Sequence, residues 1–270
     1  VRVAWAAGTA LIVMADGVGG LPFGGQAAEA ATSHAFRRLR RELPRALAVG
    51  VEGVRTLLLS TVWSTAGHVA AEARARGLRR TEDGLCTTLI LAVALAEVYV
   101  VVWIGDGGAH VLRGKEKVER LLVPHKSPDA PTLLEAAIGP ETDGAPSWSI
   151  TPRRPGDVFL VTTDGVADQF DAGVVARLHA AIARSRTRAK PALQDLLGEL
   201  ASQKNAFGRY TFTDNLTAAL VLTAGMPVTD APEAHEQDPT SMPSPATIKT
   251  RSRGRAAAIA QENRRRSGTV

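Results

Sequence analysis

Four aspartates stand at the ends of short apolar runs. Ala10 to Ala15 leads into Asp16-Gly17-Val18-Gly19-Gly20, and Val98 to Ile104 leads into Gly105-Asp106-Gly107. Val158 to Val161 leads through two threonines into Asp164-Gly165, and Asp214-Asn215 opens the run Leu216 to Leu222. Carboxylates on rigid strand ends suit hard cations such as Mg²⁺ and Mn²⁺, which prefer oxygen ligands and keep several waters. Glycine beside three of them lets the backbone turn sharply and lets a carbonyl or an ion come close. On residue type alone, Asp16 with the Gly17 carbonyl offers a side-chain and a main-chain ligand, and Asp164 and Asp214 can complete one ion. Asp106 can hold a further ion or orient a metal-bound water. Asp-Gly is also a common turn dipeptide, and Asp214 can simply cap a strand. The four together, each abutting an apolar run, carry the metal reading.

Two ions about 4 Å apart lower the pKa of a bridging water and clamp a phosphoryl group for in-line attack. No side-chain nucleophile is then needed, and the sequence has no Gly-x-Ser-x-Gly elbow and no Cys–His motif. The glycines from Gly17 to Gly25 also suggest a dinucleotide loop. Pro22 occupies the third glycine's place, however, Asp16 would repel a pyrophosphate, and a Walker lysine is absent.

These aspartates need elements to hold them. Residues 10–15 read as a buried strand. A helix is expected from Gly24-Gly25 through Arg41 and a second from about Glu52 to Ala75, with Leu58, Val62, Val69 and Ala73 at helical spacing. Strands are expected over Cys86 to Leu95 and Glu97 to Ile104, turning at Ala96-Glu97, and over Ala109 to Arg113 and Val118 to Val123. Pro124 to Pro146 reads as loop with a short helix near Leu133 to Ile138. Pro155-Gly156-Asp157 turns into a strand at Val158 to Thr162, followed by helices near 171–186 and 190–203 and a last strand at about 215–223. This order lacks the regular alternation of a parallel sheet. It predicts two sheets with helical layers outside. From about Gly225 onward Pro, Thr, Ser, Ala and Arg dominate, so 1–224 is read as the folded domain and 225–270 as a disordered basic tail whose deletion leaves the melting temperature nearly unchanged.

Composition narrows the classes. The chain has 270 residues, 45% of them hydrophobic, enough for one large domain. Aromatics make up only 4%, so Val, Leu, Ile and Ala must fill the core. A single cysteine, Cys86, excludes an intramolecular disulfide and a cysteine-rich zinc site, and fits a reducing, cytoplasmic setting. The net charge of +5 gathers in arginine clusters without interleaved aromatics, which argues for solvated helix faces and a basic tail and against nucleic acid. Arg2 and the apolar stretch Val3 to Ala15 imitate a signal peptide, but the run passes directly into the acidic glycine-rich motif and is too short to span a membrane. The first residue is Val, so the gene's start lies upstream or at an alternative codon.

In order along the chain, Val13 to Gly20, Cys86-Thr87-Thr88-Leu89, Ile104-Gly105-Asp106-Gly107, Pro155 to Leu160, Thr163 to Asp168 and Thr213 to Thr217 form a series over about residues 10–223. The series resembles the bacterial branch of the metal-dependent type 2C serine/threonine protein phosphatases. The resemblance implies an α+β fold, a four-layer α-β-β-α sandwich with two mainly antiparallel sheets and a metal centre at one sheet edge. It implies two to three Mg²⁺ or Mn²⁺ ions: Asp16 bridging two, Gly17 giving its carbonyl, Asp164 and Asp214 on the first ion, and Asp106 with Asp164 on a third. The implied reaction is hydrolysis of phosphoserine and phosphothreonine in proteins by a metal-activated water. The implied partners are phosphorylated proteins and a Ser/Thr kinase or its substrates.

Departures from the family pattern matter. The family carries an arginine followed by an acidic pair on the strand before Asp16, and none of the fifteen residues ahead of Asp16 is acidic. Cys86 stands at a usual glycine, Gly107-Gly108 at a small residue and arginine, and Pro124 at a common acid. Ser127 to Ala137 is shorter than the flap of many members. Val18 takes a place where some have histidine, which leaves leaving-group protonation to a metal-bound water. Two alternatives to the enzyme therefore stand. One is a pseudophosphatase that binds phosphoproteins with little or no turnover; the other is a regulatory module whose basic tail docks an acidic partner.

Overall fold

The computed structural model describes residues 1–6, 8–114, 117–130, 133–142, 144–185, 188–204, 207, 211, 214–223 and 247–250. Strands β1 (Arg2–Ala6), β2 (Thr9–Met14), β3 (Leu89–Ala94), β4 (Val98–Ile104) and β7 (Ser147–Pro152) form one antiparallel sheet in the order β1-β2-β3-β4-β7. Strands β5 (Gly108–Arg113), β6 (Lys117–Arg120), β8 (Val158–Thr162), β9 (Leu216–Leu222) and β10 (Thr247–Thr250) form a second, in the order β10-β9-β8-β5-β6. Helices α1 (Gly24–Val49) and α2 (Val51–Ala75) lie on the first sheet. The one-turn α3 (Asp164–Ala167) follows β8, and α4 (Ala172–Arg184) and α5 (Ala189–Ser202) lie on the second.

The period-2 geometry of a strand sorts its side chains between two cores. Leu11, Val13, Leu89, Leu91, Val93, Val100 and Val102 face α1 and α2, where they meet Ala27, Ala31, Ala35, Leu39, Leu58 and Val62. Their neighbours Ile12, Met14, Ile90, Ala92, Tyr99 and Val101 face the other sheet and meet Val111, Phe159, Val161, Ala219 and Val221. Leu112, Leu160, Leu216, Ala218 and Leu220 face Leu178, Leu193, Leu196 and Leu197 of α4 and α5. Two sheets buried on both faces, with a helix pair outside each, make the expected four layers.

Several local expectations need correction. The apolar start of the chain is a hairpin, with β1 pairing β2 so that Arg2 stands opposite Val13. Helix α1 runs past Arg41 and through Pro44 to Val49, because Leu39 and Leu43 continue its buried face. No helix forms near Leu133–Ile138: Leu134 bridges to Lys126 and Ile138 to Thr87, so these residues are claimed by extended pairings. Residues 147–152, to which no element is assigned from sequence, form the edge strand β7. Strand β3 starts at Leu89, later than Cys86, and β6 ends at Arg120, short of Val123. Of the segment expected to be a disordered tail, 225–246 and 251–270 lie outside the described residues, and Thr247–Thr250 pairs with β9. Among the described residues no helix is long and apolar enough to cross a membrane.

Candidate metal centre

Asp16 follows β2 and is fixed by its backbone. Its carbonyl accepts from the Thr87 hydroxyl at 2.7 Å and the Thr88 amide at 2.8 Å, and its own amide donates to Thr88 Oγ1 at 3.1 Å. The adjoining pairing of Gly17 with Thr87 is made by its neighbours, Thr88 N–H to Asp16 and Val18 N–H to Cys86, which leaves the Gly17 carbonyl out of it. Gly17 must be glycine because α1 starts directly against it: a Cβ there would lie 2.3 Å from the Gly24 carbonyl carbon.

Asp106 occupies the three-residue link that carries the chain from β4 in one sheet to β5 in the other. The link turns so tightly because Gly105 and Gly107 adopt φ of 95° and 110°, a region that L side chains disfavour. Asp164 begins α3 just past β8, and its Oδ1 accepts from the Gly165 amide at 2.8 Å. Asp214 precedes β9, and its Oδ1 accepts from the Asn215 amide at 2.6 Å. The two turns touch: Thr163 N–H donates to the Thr217 carbonyl at 3.0 Å, and a Cβ on Gly165 would meet the Asn215 carbonyl at 2.6 Å.

The structure thus brings all four predicted aspartates to one edge, one from the first sheet, two from the second and one from the link between them. Burial and then the charges of Asp164, Asp214 and Asp106 push the Asp16 carboxyl up to about 7. Burial, Asp106 and Asp214 push Asp164 up to about 6. Burial raises Asp106 against the opposing pull of Lys126. Among the described residues no three Asp, Glu, His or Cys side chains are grouped closely enough to hold a metal ion as they stand. The donor set nevertheless suits a hard divalent cation: every donor is oxygen, and a cation would offset both the burial and the mutual repulsion that raise Asp16 and Asp164.

Sequence reasoning assigned no site role to Thr87, Thr88, His125, Lys126 or Asp168. The threonines pin Asp16. Lys126 Nζ lies 3.1 Å from Asp106 and 2.7 Å from Asp168. His125 Nδ1 accepts from the Gly105 amide at 3.2 Å while Nε2 meets Ser147 Oγ at 2.9 Å, which places the ring proton on Nε2. The available signal was Thr87-Thr88 ahead of a buried run and a lysine beside an isolated histidine.

Residues 2–200 match the profile of the protein phosphatase 2C family. The chain belongs to that family, a class of metal-dependent protein serine/threonine phosphatases. Among solved structures, a bacterial serine phosphatase aligns with TM-score 0.63 and 17% identity over 84% of this chain and 92% of its own. Serine/threonine phosphatase Stp1 from Staphylococcus aureus aligns with TM-score 0.61 and 17% identity over 83% and 88%. Serine/threonine phosphatase PstP/Ppp from Mycobacterium tuberculosis aligns with TM-score 0.53 and 18% identity over 73% and 85%. At these identities the likeness establishes the shared fold. No curated protein matches the chain significantly.

Proposed function

We propose that this chain hydrolyses phosphoserine and phosphothreonine in proteins at the acidic edge, using Mg²⁺ or Mn²⁺. The observation that carries the reading is Asp16, a carboxylate on a pinned backbone at the end of the first sheet, raised to about 7 by burial and by three like charges brought to it from the second sheet and the link between the sheets. Asp16, the Gly17 carbonyl, Asp164 and Asp214 would hold the ions, with Asp106 beside them at the end of the cluster that Lys126 approaches. Bound ions would supply Lewis acidity, lowering the pKa of a water and neutralising phosphate charge. Among the protein's own groups, Thr87 and Thr88 orient the Asp16 backbone, and contact between the 163–165 and 214–217 turns keeps two carboxylates in register. The substrates are phosphorylated proteins, with a Ser/Thr kinase acting in the opposite direction. The buried, free Cys86 agrees with a cytoplasmic setting.

One observation favours the pseudophosphatase reading. Among the described residues, the β1 residues beside the Asp16 end of β2, Arg2 and Val3, include no carboxylate, and Arg2 is engaged by Glu29 and Ser33 on α1. The test is Mn²⁺-dependent hydrolysis of a phosphothreonine peptide by the wild type and by Asp164→Asn. Turnover that requires Mn²⁺ and disappears in the variant supports the enzyme. Absent turnover with Mn²⁺ still raising the melting temperature supports the binding protein, and no effect of Mn²⁺ on either readout defeats the metal reading.

A further inference from the structure

The Asp106 end of the cluster already contains a cation. Lys126 Nζ lies 3.1 Å from Asp106 Oδ2 and 2.9 and 2.7 Å from the two Asp168 oxygens, with only 18% of the lysine side chain and 7% of the Asp106 side chain exposed. Its backbone is tied in place. The His125 amide donates to the Gly105 carbonyl at 3.0 Å, the Gly105 amide donates back to the His125 ring, and the Glu135 amide donates to the His125 carbonyl at 2.8 Å. Lys126 itself bridges to Leu134. The strand-like segment at 125–126 is therefore bolted to the same Gly105-Asp106-Gly107 link that carries the carboxylate. The ammonium arrives between the two acids as a consequence of the fold, rather than by the wandering of a surface lysine.

We propose that Lys126 is a built-in cation at this end of the centre, neutralising Asp106 and Asp168 from within the chain, so that Asp106 holds no third divalent ion. A divalent cation entering there would have to expel Nζ from all three contacts and then face its charge a few ångströms away, in a half-buried setting that screens poorly. This rests on the metal-centre reading above.

The experiment counts Mn²⁺ per folded full-length chain by equilibrium dialysis and elemental analysis. Lys126→Gln should bind one ion more than the wild type, and Lys126→Arg, which keeps the charge, should match the wild type. Combining Lys126→Gln with Asp106→Asn should remove the gained ion. Equal non-zero counts for wild type and Lys126→Gln overturn the proposal and leave the metal centre standing. No Mn²⁺ on the wild type overturns both. If Lys126→Gln does not fold, Asp106→Asn alone decides: a count equal to wild type supports the internal cation, and loss of one ion overturns it.

Discussion

Asp16 concentrates the chemistry of this molecule and the cost of maintaining it. Its folded pKa, about 7, lies above the ordinary carboxylate value of 3.8, so the native state holds a proton that the unfolded state has released between these two pH values. Without metal, the stability at this residue is present at low pH and is lost as pH rises from about 4 through about 7. His110 has the opposite slope. It is buried, stacked on Phe170 and held down to about 4 by burial and then by Arg120, so stability is lost as pH falls below its usual 6.5. A comparison with Asp16→Asn isolates the first effect. In metal-free urea melts at pH 7.5 the variant should be more stable than wild type by about 2 kcal/mol, discounted for solvent screening, and the gap should close toward pH 4. A gap independent of pH would contradict the assigned repulsion. Gly17→Ala acts through sterics instead: its Cβ would strike the Gly24 backbone, so about 3 kcal/mol of stability should disappear in the same assay. Thr88→Val removes the acceptor of the Asp16 amide, and a loss of about 1–2 kcal/mol is expected, with Thr88→Ser near wild type.

Among the elements, the two helical layers sit over separate cores. Leu58 of α2 is fully buried among side chains of the first sheet, and Leu193 of α5 among those of the second. Truncation of either to Ala should cost about 3 kcal/mol. The double variant should lose the sum to within about 0.5 kcal/mol, because the sites share no partners. A large departure in denaturant melts would mean that the layers are coupled through the sheets. The elements that were legible in the sequence are those with continuous buried faces, such as β3, β4, β8 and α2. Strands β1 and β7 were missed because they lie at the edges of the first sheet and bury little: Ser147 to Pro152 offers only partial burial to a periodicity argument. Leu133 to Ile138 has apolar residues at helical spacing, yet pairings with Lys126 and Thr87 hold it extended, a tertiary decision invisible locally. The same holds at the site. The aspartates announced themselves by glycine and strand ends, whereas the contact of Lys126 with Asp106 and Asp168 depends on loops meeting across 20 and 42 positions of chain.

For the molecule as a whole, the acidic edge draws its carboxylates from both sheets, so a cation bound there joins them. Mn²⁺ at one hundred times its dissociation constant should raise global stability by about 2.7 kcal/mol, read as an upward shift in melting temperature that chelator reverses. Asp164→Asn should blunt that shift. The link Gly105–Gly107 adds a kinetic side to this. Because it passes from one sheet to the other in three residues, the carboxylate edge is assembled only when the sheets have docked. Contacts that form after the folding transition state slow unfolding and scarcely alter refolding. Divalent ions should accordingly act on this phosphatase fold as a brake on its opening, lengthening the lifetime of the native state in urea-jump experiments while the refolding rate stays where it was.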